Sequence, residues 1–120
     1  MYSAKKEARL LLIHRCSEDL YAVMVFRGPF RLEYVNTGTR DVIDEVVHSS
    51  IFDEIRYVWP PSFSYRLGLS PLSNLEGYFG SCLACVDNLA KNICSITDNL
   101  IVSGNSLLFK DQRENNKRSQ

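Results

Sequence analysis

Residues 75–97 read LEGYFGSCLACVDNLAKNICSIT, and the interpretation of this stretch governs that of the rest of the chain. Cys82-Leu83-Ala84-Cys85 has the spacing of a redox or metal-binding pair. Helical periodicity says otherwise. At 100° per residue, Leu75, Tyr78, Phe79, Cys82, Cys85, Val86, Leu89, Ala90, Ile93 and Ile96 fall within a sector of about 140°. The spacing therefore predicts one amphipathic helix over about 75–97, capped by Ser73 or Asn74, with Cys82 mid-stripe and Cys85 at its margin. On this reading the sulfurs are core filler. A redox pair wants its first cysteine exposed at a helix N-terminus, where the dipole acidifies it. Gly77 and Gly80 keep that alternative open, because a helix beginning near Ser81 would put Cys82 at its start. A zinc site lacks a second ligand pair, since Cys16, Cys94, His14 and His48 show no matching spacing. No metal and no cofactor are expected.

Outward from this helix, the N-terminal half reads as strands. Arg9 to His14 and Leu20 to Phe26 are continuous apolar runs, as in strands buried on both faces. Phe30 to Val35 alternates, with Phe30, Leu32 and Tyr34 on one side and Arg31 and Glu33 on the other, which suits an edge or half-solvated strand. Arg27-Gly28-Pro29 predicts a hairpin between the second and third strands. Thr37 or Thr39 could cap a helix over about 40–49, with Val42, Ile43, Val46 and Val47 inward. A fourth strand, Glu54 to Trp59, stops at Pro60-Pro61. Beyond the long helix, Asn99 to Ser103 and Ser106 to Phe109 flank Gly104-Asn105, a hairpin signal.

The expected fold is thus α+β (or α/β): a single small domain over residues 1–110 with a mixed sheet of about five to six strands and two helices. The element order is β-β-β-α-β-α-β-β. Doubly buried strands require layers above and below them, or a partner covering one face. Residues 111–120 are wholly polar and are expected to form a disordered tail.

Composition narrows the function classes. The 120 residues are 45% hydrophobic, and fourteen basic side chains balance fourteen acidic ones. That composition is ordinary for a globular domain and gives no bulk attraction to nucleic acid or anionic lipid. The apolar run Leu10 to Ile13 is far too short to span a bilayer, and no membrane association is expected. Three of the four cysteines lie on the predicted helix, which argues against a disulfide framework and for an intracellular location, cytoplasm or nucleus.

Chemistry-bearing motifs are sparse. Neither His14 nor His48 has a nucleophile in a recognisable motif beside it, so both read as structural or solvated. The scattered glycines form no phosphate-binding loop. The order β-β-β-α-β-α resembles the ribonuclease-H-like arrangement of nucleases and related folds, a resemblance of topology alone. It implies carboxylates on the first strand and at the end of the fourth to hold divalent ions. Here the first strand has none, the fourth ends in Tyr57-Val58-Trp59, and Asp53 and Glu54 stand at its beginning. The resemblance therefore implies a catalytically inactive nuclease-like domain.

The richest surface candidate is the loop after the fourth strand, with Trp59, Phe63, Tyr65, Arg66 and Leu67. Aromatic and arginine side chains are favoured interface anchors, although Trp59 and Phe63 could equally plug the core. The leading expectation is a small intracellular non-enzymatic protein–protein interaction module or subunit of an oligomeric complex. A protein partner or self-association would be its ligand. The alternative is a nucleic-acid-binding protein of inactive nuclease-like fold, using Arg27, Arg31, Arg56 and Arg66 with the loop aromatics. The third is a thiol-active protein using Cys82 and Cys85.

Overall fold

Leu10 to Ile13 and Ala22 to Phe26, the two continuous apolar runs, are buried on both sides of the sheet they build. The computed structural model describes residues 8–100, with side chains placed as far as residue 96. Strand β1 (Arg9–Ser17) lies between β2 (Leu20–Arg27) and β4 (Ile55–Trp59). The hairpin partner of β2 is β3 (Leu32–Gly38), at one edge, and the two-residue β5 (Ser70–Pro71) forms the other. Among the described residues the sheet thus has five strands in the order β3-β2-β1-β4-β5. The β1–β2 and β2–β3 pairs are antiparallel, whereas β4 and β5 run parallel to β1. The fold is mixed α+β, as the pattern predicts.

Strand periodicity sorts the core into two layers. Leu10, Leu12, Ala22, Met24 and Phe26 face one side, where they meet Tyr78, Phe79, Val86, Ala90 and Ile93. Leu11, Ile13, Val23 and Val25 face the other, against Val42, Ile43 and Val46 of helix α1 (Asp41–Val47) and against Ile55 and Val58. Both faces of the central strands are therefore covered by the chain itself. Helix α1 is shorter than predicted, and its N-cap position is neither Thr37 nor Thr39. Arg40 holds the N-cap position without a side-chain hydrogen bond, and the Thr39 carbonyl accepts from the Val42 amide at 3.0 Å.

The alternation read in β3 is broken by a bulge. Val25 pairs with Tyr34 and Phe26 with Leu32, so Glu33 is the extra residue and Leu32 and Tyr34 pack on opposite layers. The displaced Glu33 has a role. Register sets Arg9 directly opposite Arg27, a repulsive cross-strand pair. The Glu33 carboxylate lies 2.6 Å from Arg9 Nε and 4.0 Å from Arg27, and Glu54 adds a 3.0 Å contact to Arg9. The hydrogen bond to Glu33 holds the Arg9 guanidinium pKa above its ordinary value.

After β4 the chain makes a 3-10 turn (Pro61–Phe63), the single helical turn α2 (Ser64–Leu67) and β5, where sequence reading finds only an irregular stretch. Pro71 is tolerated because, among the described residues, β5 stands at the edge of the sheet. The predicted long helix is two pieces. Helix α3 (Leu75–Phe79) starts at Asn74, whose side-chain oxygen accepts from the Glu76 amide at 3.0 Å. It stops at Gly80, where φ is +59°, a conformation open to glycine and costly for other residues. A 3-10 turn (Gly80–Cys82) leads into helix α4 (Leu83–Leu100). The predicted strand starting at Asn99 is overtaken by α4 as far as Leu100, and the rest of that hairpin lies outside the described residues, as does the polar tail.

The cysteines depart furthest from expectation. Cys16, on the even-numbered face of β1, is disulfide-bonded to Cys94 of α4, across a sequence separation of 78 and with Cα atoms 5.5 Å apart. Spacing along the chain could not reveal this pair, because packing α4 across that face of β1 brings the two together.

Candidate functional site

Gly80 shapes the most distinctive surface of the molecule. Upstream of it, Tyr78 and Phe79 anchor α3 in the core, Phe79 packing edge-on against Phe26 with ring centroids 5.0 Å apart. Tyr78 fastens the same helix to the β2–β3 turn: its hydroxyl accepts from the Gly28 amide at 2.9 Å and donates to the Ala8 carbonyl. The backbone change at Gly80 interrupts the helix, and a 3-10 turn intervenes before α4 begins. Cys82 immediately precedes the first residue of α4 and is half-buried, while Cys85 sits in the first turn and is exposed.

The core assignment of these two thiols is therefore corrected. Once the helix is broken, the phase carried through Tyr78 and Phe79 no longer applies to Cys82. The buried stripe of α4 runs through Val86, Ala90 and Ile93 instead. Burial first, and then the neighbouring Cys85, push the Cys82 thiol pKa upward. Starting a helix does not acidify this sulfur.

The two thiols form one wall of an open apolar groove of about 240 Å³. Val86 and Leu89 of α4 continue that wall, and Phe26, Pro29, Phe30 and Leu32 from the β2–β3 hairpin face it. Phe30 is 83% exposed. The sequence signal was present: Phe30 follows Gly28-Pro29 directly, which places it in the turn rather than in the strand that its alternation suggests.

A second, smaller cleft of about 180 Å³ lies where β1 and β4 run side by side toward their C-terminal ends. Leu12, His14, Trp59, Leu75, Leu83 and Asp87 are among its lining residues. Open sheets often bind ligands near strand C-termini, but this volume falls below the ~300 Å³ lower end of ordinary small-molecule sites. Its one carboxylate, Asp87, is 3.3 Å from Lys91. Among the described residues no group of three or more His, Cys, Asp or Glu side chains could hold a metal ion. His14 is half-buried beside this cleft, and His48 is exposed with Nδ1 2.8 Å from the Asp44 carbonyl.

The loop candidates divide between surfaces. Trp59 packs on the α3–α4 side of the sheet, whereas Phe63 and Leu67 pack on the α1 side. Tyr65 is 98% exposed, and Arg66 is exposed beside it. Arg27, Arg31, Arg56 and Arg66 are all exposed but come from β2, the β2–β3 turn, β4 and α2, with Arg27 directed toward Glu33. Among the described residues no helix is long and apolar enough to cross a membrane. The sequence matches no family model, and no curated protein or solved structure matches it either.

Proposed function

We propose that this chain is a small non-enzymatic protein–protein interaction module, and that the groove beside the β2–β3 turn receives an apolar segment of its partner. The exposed Phe30 ring carries this reading. A large aromatic left in water at the lip of an apolar groove is a surface from which a partner would displace water. The groove walls rest on well-packed elements, so the surface exists before binding and its ordering adds little to the cost of association. Tyr65 and Arg66 offer a second contact on α2, of the residue types favoured at interface centres.

The cysteines bear on location from two directions. A free Cys82–Cys85 pair fits a reducing compartment, and the Cys16–Cys94 bond fits an oxidising one. The intracellular placement is proposed on the free pair, and alkylation of thiols at the moment of cell lysis tests it.

The decisive experiment compares wild type with Phe30→Ser by light scattering and by capture of partners, each variant first checked for unchanged thermal unfolding. Association by wild type that weakens about tenfold or more in Phe30→Ser supports the reading. Equal association by both variants, a strictly monomeric wild type that captures no protein, or salt-sensitive retention on nucleic acid in its place would overturn it.

A further inference from the structure

We infer that Cys82 and Cys85 form a reversible dithiol–disulfide pair that exchanges with low-molecular-weight disulfides at the mouth of the groove. This goes beyond the interaction reading and does not depend on it.

Three observations converge. The thiols stand three residues apart where the 3-10 turn meets α4 and line the same groove wall, so little rearrangement separates the dithiol from a bond between the sulfurs. Their spacing explains the proximity: residues three apart on a helical turn are surface neighbours, with Cβ atoms about 5–6 Å apart. Cys82 also belongs to a 3-10 turn that follows the Gly80 break, so its backbone is not clamped on both sides by α-helical hydrogen bonds. Finally, Cys85 is exposed and Cys82 partly so, on a groove wall that is open to solvent, and a small disulfide can reach them. The chain's other two cysteines are already bonded to each other, which leaves this pair as its available thiols.

Accessibility assigns the order of events. Cys85, the exposed sulfur, loses its proton to solvent and attacks one sulfur of the small disulfide. That S–S bond breaks, the first small thiolate leaves and takes up a proton, and a mixed disulfide remains on Cys85. Cys82, the less exposed of the two sulfurs, is the resolving thiol. It gives up its proton and attacks the Cys85 sulfur, forming the Cys82–Cys85 bond and expelling the second small thiolate, which is protonated in turn. Two electrons pass from the protein pair to the small disulfide, which becomes two thiols.

The test uses the full chain and oxidised glutathione as probe, followed by alkylation of remaining thiols, digestion and mass spectrometry. Wild type is expected to yield a Cys82–Cys85 linked peptide with no lasting glutathione adduct. Cys82→Ser should trap glutathione on Cys85, and Cys85→Ser should acquire it on Cys82 about tenfold more slowly. The inference is overturned if wild type keeps glutathione on both cysteines. It is equally overturned if both stay free and are alkylated, or if either bonds to Cys16 or Cys94. The wild-type result decides the matter even if a serine variant folds poorly.

Discussion

Tyr78 shows how one hydroxyl joins distant parts of this chain. It satisfies the Gly28 amide and the Ala8 carbonyl and stands 3.3 Å from the Phe26 carbonyl, tying α3 to the start of β1 and to the β2–β3 turn. Removing it leaves buried backbone groups without a partner. Tyr78→Phe should cost about 1–3 kcal/mol in urea unfolding although it deletes a single atom. Burial also raises the Tyr78 pKa, with Tyr34 shifted the same way and also chiefly by burial. Because the folded state holds these phenolic protons more tightly than the unfolded chain, their contribution is complete below the ordinary tyrosine value of about 10 and is lost as pH rises through the folded value. The urea midpoint should therefore fall as pH climbs above about 10, and less steeply in Tyr78→Phe, with Tyr34 supplying the remaining slope. At this scale the sequence was partly legible. A tyrosine on the apolar stripe was expected to be buried, but its hydrogen-bond partners lie 50 and 70 residues away and leave no local trace.

Among the elements, the break between α3 and α4 has the largest consequence, and two glycines in it test the account with opposite signs. Gly80 has positive φ with no atom near an added Cβ, so Gly80→Ala meets backbone strain alone and should destabilise by about 1–3 kcal/mol. Gly77 lies within α3, where an added Cβ meets Asn74 atoms at an ordinary 3.5 Å. Gly77→Ala should therefore stabilise, by up to about 1 kcal/mol of helix propensity. Thermal unfolding of both variants checks the pair, and the same sign in both would refute the assigned break. The glycines themselves were visible in the sequence. Whether Gly80 would continue the helix or leave it was not, because glycine adopts either conformation readily and the choice depends on anchoring Tyr78 and Phe79 in the core. The strands were more legible: β1, β2 and β4 follow from continuous apolar runs and the proline stop. The bulge at Glu33 was not, since it answers to the Arg9–Arg27 pair on neighbouring strands.

For the whole molecule, the Cys16–Cys94 disulfide is the longest-range covalent constraint. It ties the end of the central strand to the helix covering one face of the sheet, and closes most of the described chain into one loop. The double variant Cys16→Ser/Cys94→Ser should lose about 2–4 kcal/mol of stability, mainly through a less restricted unfolded state. Reductant should lower the wild-type unfolding free energy by a similar amount and leave the double variant unmoved. A wild type indifferent to reductant would show that this bond contributes little to holding the fold.

Local patterning by itself determined the two central strands, the turn between β2 and β3, the helix between β3 and β4, and the need for cover on both faces of the sheet. Each rests on periodicity, or on turn residues within a few positions of one another. Tertiary structure alone decided that β1 lies parallel to β4, that Ser70–Pro71 closes an edge, that Cys16 meets Cys94, and that Cys82 and Cys85 stand on a groove and not in the core. Those outcomes depend on which surfaces meet after the chain has crossed itself, and hydrophobic spacing records the face a residue presents without naming what will pack against it.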